Sequence, residues 1–323
     1  MPAQSLRRSL AENCMALKIG MHTGPQDMSM AELQKLWRRA DQAGFHWISV
    51  WDHFYSNPLI DNKRNPCFEG VAAMAALAAT TSKVRVGCLM FCVLFRNPGL
   101  LAKSAVTIDH LSGGRVELGL GAGWFEEEFK EFGYAWPPVK ERMDQLEEAI
   151  QVIKGLLHDG KVTFKGKYYD VPGAVCTPAP VQKKLRLWVG GRGEKRTPRI
   201  AAQYADGFNL PYVSPAVFKQ RQQELNGHLV KFRRNPTDIE RSVNLHFMMA
   251  SNPASESLMK QRHERMTEIQ KGGVLMGSPQ QVIDRIKEYD AAGAQGINIA
   301  FRPPVDWDAF ETFITKVFPV VHG

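Results

Sequence analysis

No stretch of this 323-residue chain approaches the roughly 18 consecutive apolar residues that a membrane-spanning helix needs. The amino-terminal MPAQSLRRSLAENC carries two arginines but lacks the apolar centre of a secretory signal. Residues 1–15 therefore read as a disordered leader, or as the product of an upstream start with Met15 the functional one. The five cysteines, Cys14, Cys67, Cys88, Cys92 and Cys176, are odd in number and include no CxxC pair. That argues against a zinc cage or a disulfide framework and fits reduced thiols in the cytoplasm. Blocks of about five like charges are missing. So is the interleaving of basic and aromatic residues found in nucleic-acid modules, and no nucleic-acid or membrane partner is expected. His110, His158, His228, His246 and His263 show no metal-ligand spacing.

The composition that remains, 44% hydrophobic and 23% charged, is that of an ordinary globular protein. The net charge of +8 has two readings: plain surface charge, or a surface suited to an anionic ligand.

One local pattern recurs. A polar-amphipathic helix ends at a glycine and a short apolar strand follows: 31–43 before Gly44, 198–205 before Gly207, and 278–292 before Gly293. Strands are predicted at 17–22, 46–51, 84–90, 115–120, 186–190, 207–210, 243–249 and 296–300. Helices are predicted at 30–43, 68–80, 98–111, 139–157, 197–205, 214–231, 278–291 and 307–317. Alternating elements of this kind build a parallel sheet. Eight such units in one chain predict an α/β fold, a (β/α)8 TIM barrel, with insertions after helix 4 and strand 7. The doubly wound open sheet is the runner-up, but its GxGxxG fingerprint is absent after the first strand. The insertions are 158–184, read as a hairpin and loop, and 251–276, read as a mobile lid over the strand ends. No compositional break separates a second domain, so 16–323 reads as one.

The run Asp109–Trp124, DHLSGGRVELGLGAGW, carries the most information. Val116, Leu118 and Leu120 alternate with Glu117 and Gly119, which is strand periodicity. Gly119, Gly121 and Gly123 then remove side chains from the strand's C-terminal end, where a backbone or a flat ligand can come close. In parallel α/β proteins that end is where ligands bind. The other predicted strands exit at His22-Thr23, at Trp51-Asp52-His53-Phe54, at Cys88 to Cys92, at Gly190 to Gly193 and at Asn209. All point to one mouth. His53 is the candidate for proton transfer near neutral pH. Gly190, Gly191, Arg192, Gly193 and Lys195 outline an anion site, with Thr197 as helix cap and Pro198 at the first helical position. Met90, Phe91 and Trp124 read as core, or as rim residues lining a planar ring. Glu126–Glu128 read mostly as a solvated first helical turn.

These stretches are similar to one family. VWDHF at 50–54, RNPGLLAKSAVTIDHLSGGRVELGLGAGWFEEEF, ERMDQLEEAIQVIKGLL, LWVGGRGEKRTPRIAAQYADGFN and GSPQQVIDRIKEYDAAGAQGINI resemble the bacterial-luciferase-like flavin and deazaflavin oxidoreductases. The VGGRGEKRTPRIAAQYAD segment most resembles the branch that uses coenzyme F420; FMN-using members share much of the pattern. The resemblance implies a TIM barrel, homodimeric, with the cofactor at the C-terminal mouth and an organic small molecule as substrate. It implies a non-prolyl cis peptide at Leu89-Met90 behind the ring. It places Asp52 and His53 beside the ring, and the glycine loop at the cofactor phosphate. Cys88, Leu89, Met90, Cys92, Ala122, Gly123 and Glu127 complete the expected cofactor-binding set, with no metal. In the sugar-phosphate branch of the family a glutamate directly follows the glycine-rich strand. Here Trp124 stands there, which argues against glucose 6-phosphate. An FMN-dependent monooxygenase and a non-catalytic cofactor-binding protein are the alternatives.

Overall fold

Eleven strands occur among the described residues, which are 17–56 and 65–322 of the computed structural model; the leader expected over 1–15 lies outside them. In chain order they are β1 (Lys18–Thr23), β2 (Trp47–Val50), β3 (Arg85–Cys92), β4 (Val116–Gly121), β5 (Lys161–Lys165), β6 (Asp170–Val175), β7 (Arg186–Gly190), β8 (Gly207–Pro211), β9 (Glu240–Met248), β10 (Val274–Met276) and β11 (Gly296–Phe301). Eight of them close into a parallel barrel in the order β1-β2-β3-β4-β7-β8-β9-β11 and back to β1. The (β/α)8 barrel expected from the helix–Gly–strand pattern is the fold observed.

The first turn of helix α1 (Met30–Ala43) shows why the helices fall where the sequence puts them. Ser29 and Glu32 form a capping box, and Gly44 ends the helix in the left-handed region at φ 88°. The next helices are α2 (Gly70–Thr80), α3 (Pro98–Ser112), the short α4 (Glu126–Glu131) and α5 (Val139–His158). The predicted 158–184 insertion is the antiparallel β5–β6 hairpin and its exit loop. Helices α6 (Arg196–Tyr204) and α7 (Pro215–Lys231) follow.

The 251–276 segment, read as a mobile lid, carries regular structure. It folds as α8 (Pro253–Arg265), α9 (Glu268–Lys271) and β10, and β10 pairs in parallel with the end of β9. Met259 and Met266 pack with Met248 and Val274 in a small core of their own. Burial of those methionines organises a stretch whose composition alone looked loop-like. Helix α10 (Pro279–Ala291) then leads to β11. The predicted helix 307–317 is α11 (Trp307–Thr312) followed by a π turn over Phe313–Val317, and α12 (Phe318–Val321) ends the described chain.

Gly207 differs from its expected role as a helix terminator. It lies inside β8, where a Cβ would fall 2.2 Å from the Trp188 ring. The side chain it lacks makes room for indole in the barrel interior.

The interior is layered. At the N-terminal end, Lys18 and Arg186 bond Glu240 at 2.7 and 2.8 Å. Arg85 pairs with Glu117, which also accepts from the Trp188 indole at 2.5 Å. Above this ionic floor Trp47 and Trp188 pack with centroids 5.0 Å apart. Higher still, Asn209 donates to Asn244 and Ser242 at 2.9 Å, and Asn298 donates to Asn244 at 3.1 Å. The floor and the indole pair fill the lower barrel.

Candidate active site

Strand β3 loses register with β4 between Cys88 and Phe91, and its Leu89-Met90 peptide is cis, at the position the resemblance implied. The glycines around this bulge have a defined purpose. A Cβ at Gly119 would lie 2.2 Å from the Cys88 carbonyl oxygen and 2.6 Å from Met90 Sδ. At Gly121 it would lie 3.1 Å from Met90 Cβ, and at Gly190 it would lie 2.3 Å from Met90 Cε. The close approach that the glycine run foretold is therefore protein to protein. Neighbouring strands are stripped so that Met90 can settle between them and present a half-buried apolar shelf at the mouth. Replacing Gly119 with valine should cost about 1–3 kcal/mol of stability, because its first atom meets backbone that cannot swing aside. Urea denaturation of Gly119→Val measures it, and an unchanged midpoint would mean that the strands separate freely.

Strand parity decides the fate of the two cysteines. Cys88 points with Val86 into the layer between barrel and helices and is fully buried. Cys92 packs against Phe95 and Phe129. Burial pushes both thiols well above their ordinary value. Neither is a thiolate, and neither sulfur meets the mouth as the cofactor-binding expectation would need.

Asp52, expected beside a ring, spends its carboxylate on structure. It accepts a two-pronged ion pair from Arg96 at 2.7 and 2.8 Å and a bond from the Cys92 N–H at 2.8 Å. Burial pushes its carboxyl up, opposed by Arg96 and the Cys92 N–H. The bidentate geometry keeps the pair charged and ties the end of β2 to the end of β3.

His53 is half-buried at the rim. Its Nδ1 lies 2.7 Å from Glu128 Oε1, and Glu128 Oε2 accepts from the Phe54 N–H at 3.0 Å. The Glu128 side chain is 1% exposed. A carboxylate only accepts, so the Nδ1 side of the ring carries the proton in this pair. Trp124 stands edge-on to the imidazole with centroids 5.4 Å apart and stacks on Phe125. The acid that reaches the site is thus Glu128, whereas Glu127, the expected cofactor contact, is exposed on α4. A one-residue shift on a helix turns a side chain by about 100°, and the run of three glutamates hid which one faces inward. Gly123 takes φ +74°, and a Cβ there would meet Phe129 and Cys92. Ala122, beside it, is half-buried at the exit of β4.

Gly190 to Lys195 form a loop on the rim, exposed from Arg192 to Lys195. Gly191 takes φ +138°, and a Cβ at Gly193 would lie 2.5 Å from Thr197 Oγ1. Helix α6 starts at Arg196, one residue before the expected cap, with Lys195 as its N-cap residue. Thr197 and Pro198 lie within the first turn. That turn has no side-chain cap, so its leading N–H groups are not consumed by a side chain of the protein.

Across the mouth lie residues to which sequence reasoning gave no role in binding or catalysis. His22 bonds Ser49 at 2.9 Å, and burial, helped by Arg302 and His53, lowers its pKa to about 3. Arg302 sits over the Trp51 ring at 4.9 Å. His246 stacks on Tyr212, with centroids 3.8 Å apart and planes within 10°. The signal for His246 was present: on β9 it falls in step with Ser242 and Asn244, the polar face of an otherwise apolar strand. Among the described residues no group of three or more His, Cys, Asp or Glu side chains is arranged to hold a metal, and no helix is long and apolar enough to cross a membrane.

Comparison with known proteins gives this geometry a context. The family model described as luciferase-like monooxygenase matches residues 14–258. The F420-dependent glucose-6-phosphate dehydrogenase of Amycolatopsis mediterranei is 31% identical over 197 residues, covering 59% of this chain and 56% of that protein. The FMNH2-dependent dimethylsulfone monooxygenase of Pseudomonas putida is 28% identical over 216 residues, 65% of this chain and 58% of its own. The chain thus spans just over half the length of these relatives. Among solved structures, an F420-dependent secondary alcohol dehydrogenase in complex with an F420-acetone adduct superposes with a TM-score of 0.82 at 21% identity, covering 96% of this chain and all of that one. At that identity the likeness is one of fold.

Proposed function

This chain belongs to the luciferase-like monooxygenase family, and from that premise we propose that it is a coenzyme F420-dependent oxidoreductase acting on a small organic substrate. The observation that carries the reading is the Met90 shelf, seated on Gly119, Gly121 and Gly190, with the His53–Glu128 pair after the neighbouring strand β2 and the glycine–arginine loop after β7. The residues present fit such a cofactor. An apolar shelf suits one face of a flat ring. The tight Gly190–Gly193 loop with Arg192, Lys195 and the uncapped start of α6 suits a phosphate. The +8 net charge suits an acidic tail. When bound, the deazaflavin supplies hydride exchange at its C5.

The chain's own residues do the rest. Leu89 and Met90 support the ring, and Gly190, Gly191, Arg192, Gly193 and Lys195 hold the phosphate. Ala122, Gly123 and Glu127 lie on the β4–α4 rim beside them. His53 Nε2 gives or takes the proton that accompanies hydride transfer at a substrate oxygen, with Glu128 orienting the ring. The Asp52 carboxylate, bonded to Arg96 and to the Cys92 N–H, fixes the ends of β2 and β3. The same proposal has residues 16–323 acting as one catalytic domain, as a homodimer in the cytoplasm.

The FMNH2-dependent relative supports a second reading, a monooxygenase using reduced flavin and oxygen. Fluorescence titration of the purified protein with F420 and, separately, with FMN tests both. Tight deazaflavin and weak FMN binding is the expected result. The reverse preference favours the monooxygenase, and binding of neither means that the loop holds no phosphate.

A further inference from the structure

His246 is 1% exposed, yet neither of its ring nitrogens has a hydrogen-bond partner. A buried donor and acceptor left unmet are costly and call for a ligand or water to satisfy them. Its direction follows from β9. Ser242 and Asn244 reach Asn209 and Asn298 across the interior, and His246, two residues on, lies on that same inward face one layer nearer the mouth. Its partners across the strands are Ala300 and Val274, neither of which can bond it.

Its position relative to the shelf follows from the barrel order. Counting from β3, strand β9 is the fourth neighbour in both directions. The end of β9 is therefore opposite the end of β3. A ring lying on Met90 turns its free face toward His246, and whatever exchanges hydride with that face lies between the two.

We propose that His246 is a substrate-binding residue that bonds an uncharged hydroxyl or carbonyl oxygen of the molecule that reacts. The proposal rests on the deazaflavin reading above for the placement of the ring. The stack on Tyr212, itself held at φ +55°, fixes the plane of the imidazole. Burial, with Arg302 and His22 nearby, holds the ring neutral. A neutral imidazole offers one N–H and one lone pair. An alcohol can accept from the N–H or donate to the lone pair, and a carbonyl takes the N–H. A carboxylate or phosphate could accept from the N–H too, but would have to shed its water at a buried site.

The test uses the whole protein labelled with 15N-histidine. The His246 ring signals are assigned by their loss in His246→Phe, which keeps a ring on Tyr212 while removing both nitrogens. Cyclohexanol, cyclohexanone and cyclohexanecarboxylate are titrated with and without F420. The alcohol and the ketone are expected to move the His246 signals and the carboxylate to leave them in place. In His246→Phe the dissociation constant for cyclohexanol, followed through the His53 signal, should rise about tenfold, the worth of one net hydrogen bond. In His246→Gln, which restores a donor and an acceptor, it should return toward the parent value. Signals unmoved by all three probes, moved by the carboxylate alone, or moved more by F420 than by any probe would overturn the assignment. If F420 fails to bind the parent protein, the cofactor reading falls, while the probe titration still decides the role of His246.

Discussion

His53→Ala should lower turnover with F420 by about 100- to 10,000-fold, the usual worth of a positioned acid–base group, and leave deazaflavin affinity unchanged. The reason lies in the division of labour at the mouth. In the proposed arrangement the shelf and the glycine loop would hold the ring and phosphate through β3, β4, β7 and α6, while His53 stands on the loop after β2 with Glu128 behind it. Removing the imidazole takes away the proposed proton carrier but none of the shelf. Steady-state rates together with the fluorescence titration separate the two effects. A variant that binds and turns over like the parent would remove His53 from the reaction. A loss confined to binding would recast it as a ring contact.

The largest effect on stability is expected at Arg96. Removal of its guanidinium in Arg96→Ala leaves Asp52, 4% exposed, as a buried carboxylate without its counter-ion. Breaking one partner of such a pair costs about 3–5 kcal/mol. Glu69, which also contacts Arg96 at 3.1 Å, is half exposed and can turn to water. Replacing both members with apolar side chains should recover much of the loss, since the penalty comes from the stranded charge. Denaturant titration of the single and double variants gives the answer. A loss below about 1 kcal/mol in the single variant would place the pair with exposed ion pairs.

Some features were legible because they depend on residues close together in the chain. Gly44 follows an amphipathic helix, and a left-handed terminator is what it became. Val116, Leu118 and Leu120 alternate with Glu117 and Gly119, and that alternation sorted them to the two faces of β4. Others needed neighbours from distant segments. Gly207 looked like a helix terminator until Trp188 appeared against it. Three consecutive glutamates gave no hint that Glu128, rather than Glu127, turns to His53. Cys88 and Cys92 sit in a strand that ends at the mouth, but parity and packing carry both thiols into the core. Thr197 and Pro198 resembled a cap and first turn, yet α6 begins one residue before that cap and leaves its first N–H groups to the loop.

By itself the sequence determined the alternation of helix and strand, the count of eight barrel strands and which predicted strand ends share one mouth. Periodicity and turn residues act over a few positions and need no knowledge of what lies across the fold. The tertiary structure alone decided which side chains share that end. Barrel closure sets the end of β9, which carries His246, opposite the end of β3, which carries Met90. Which acid backs His53, and what fills the space that each glycine leaves, depend on contacts between residues tens to hundreds of positions apart, and local patterns carry no record of them.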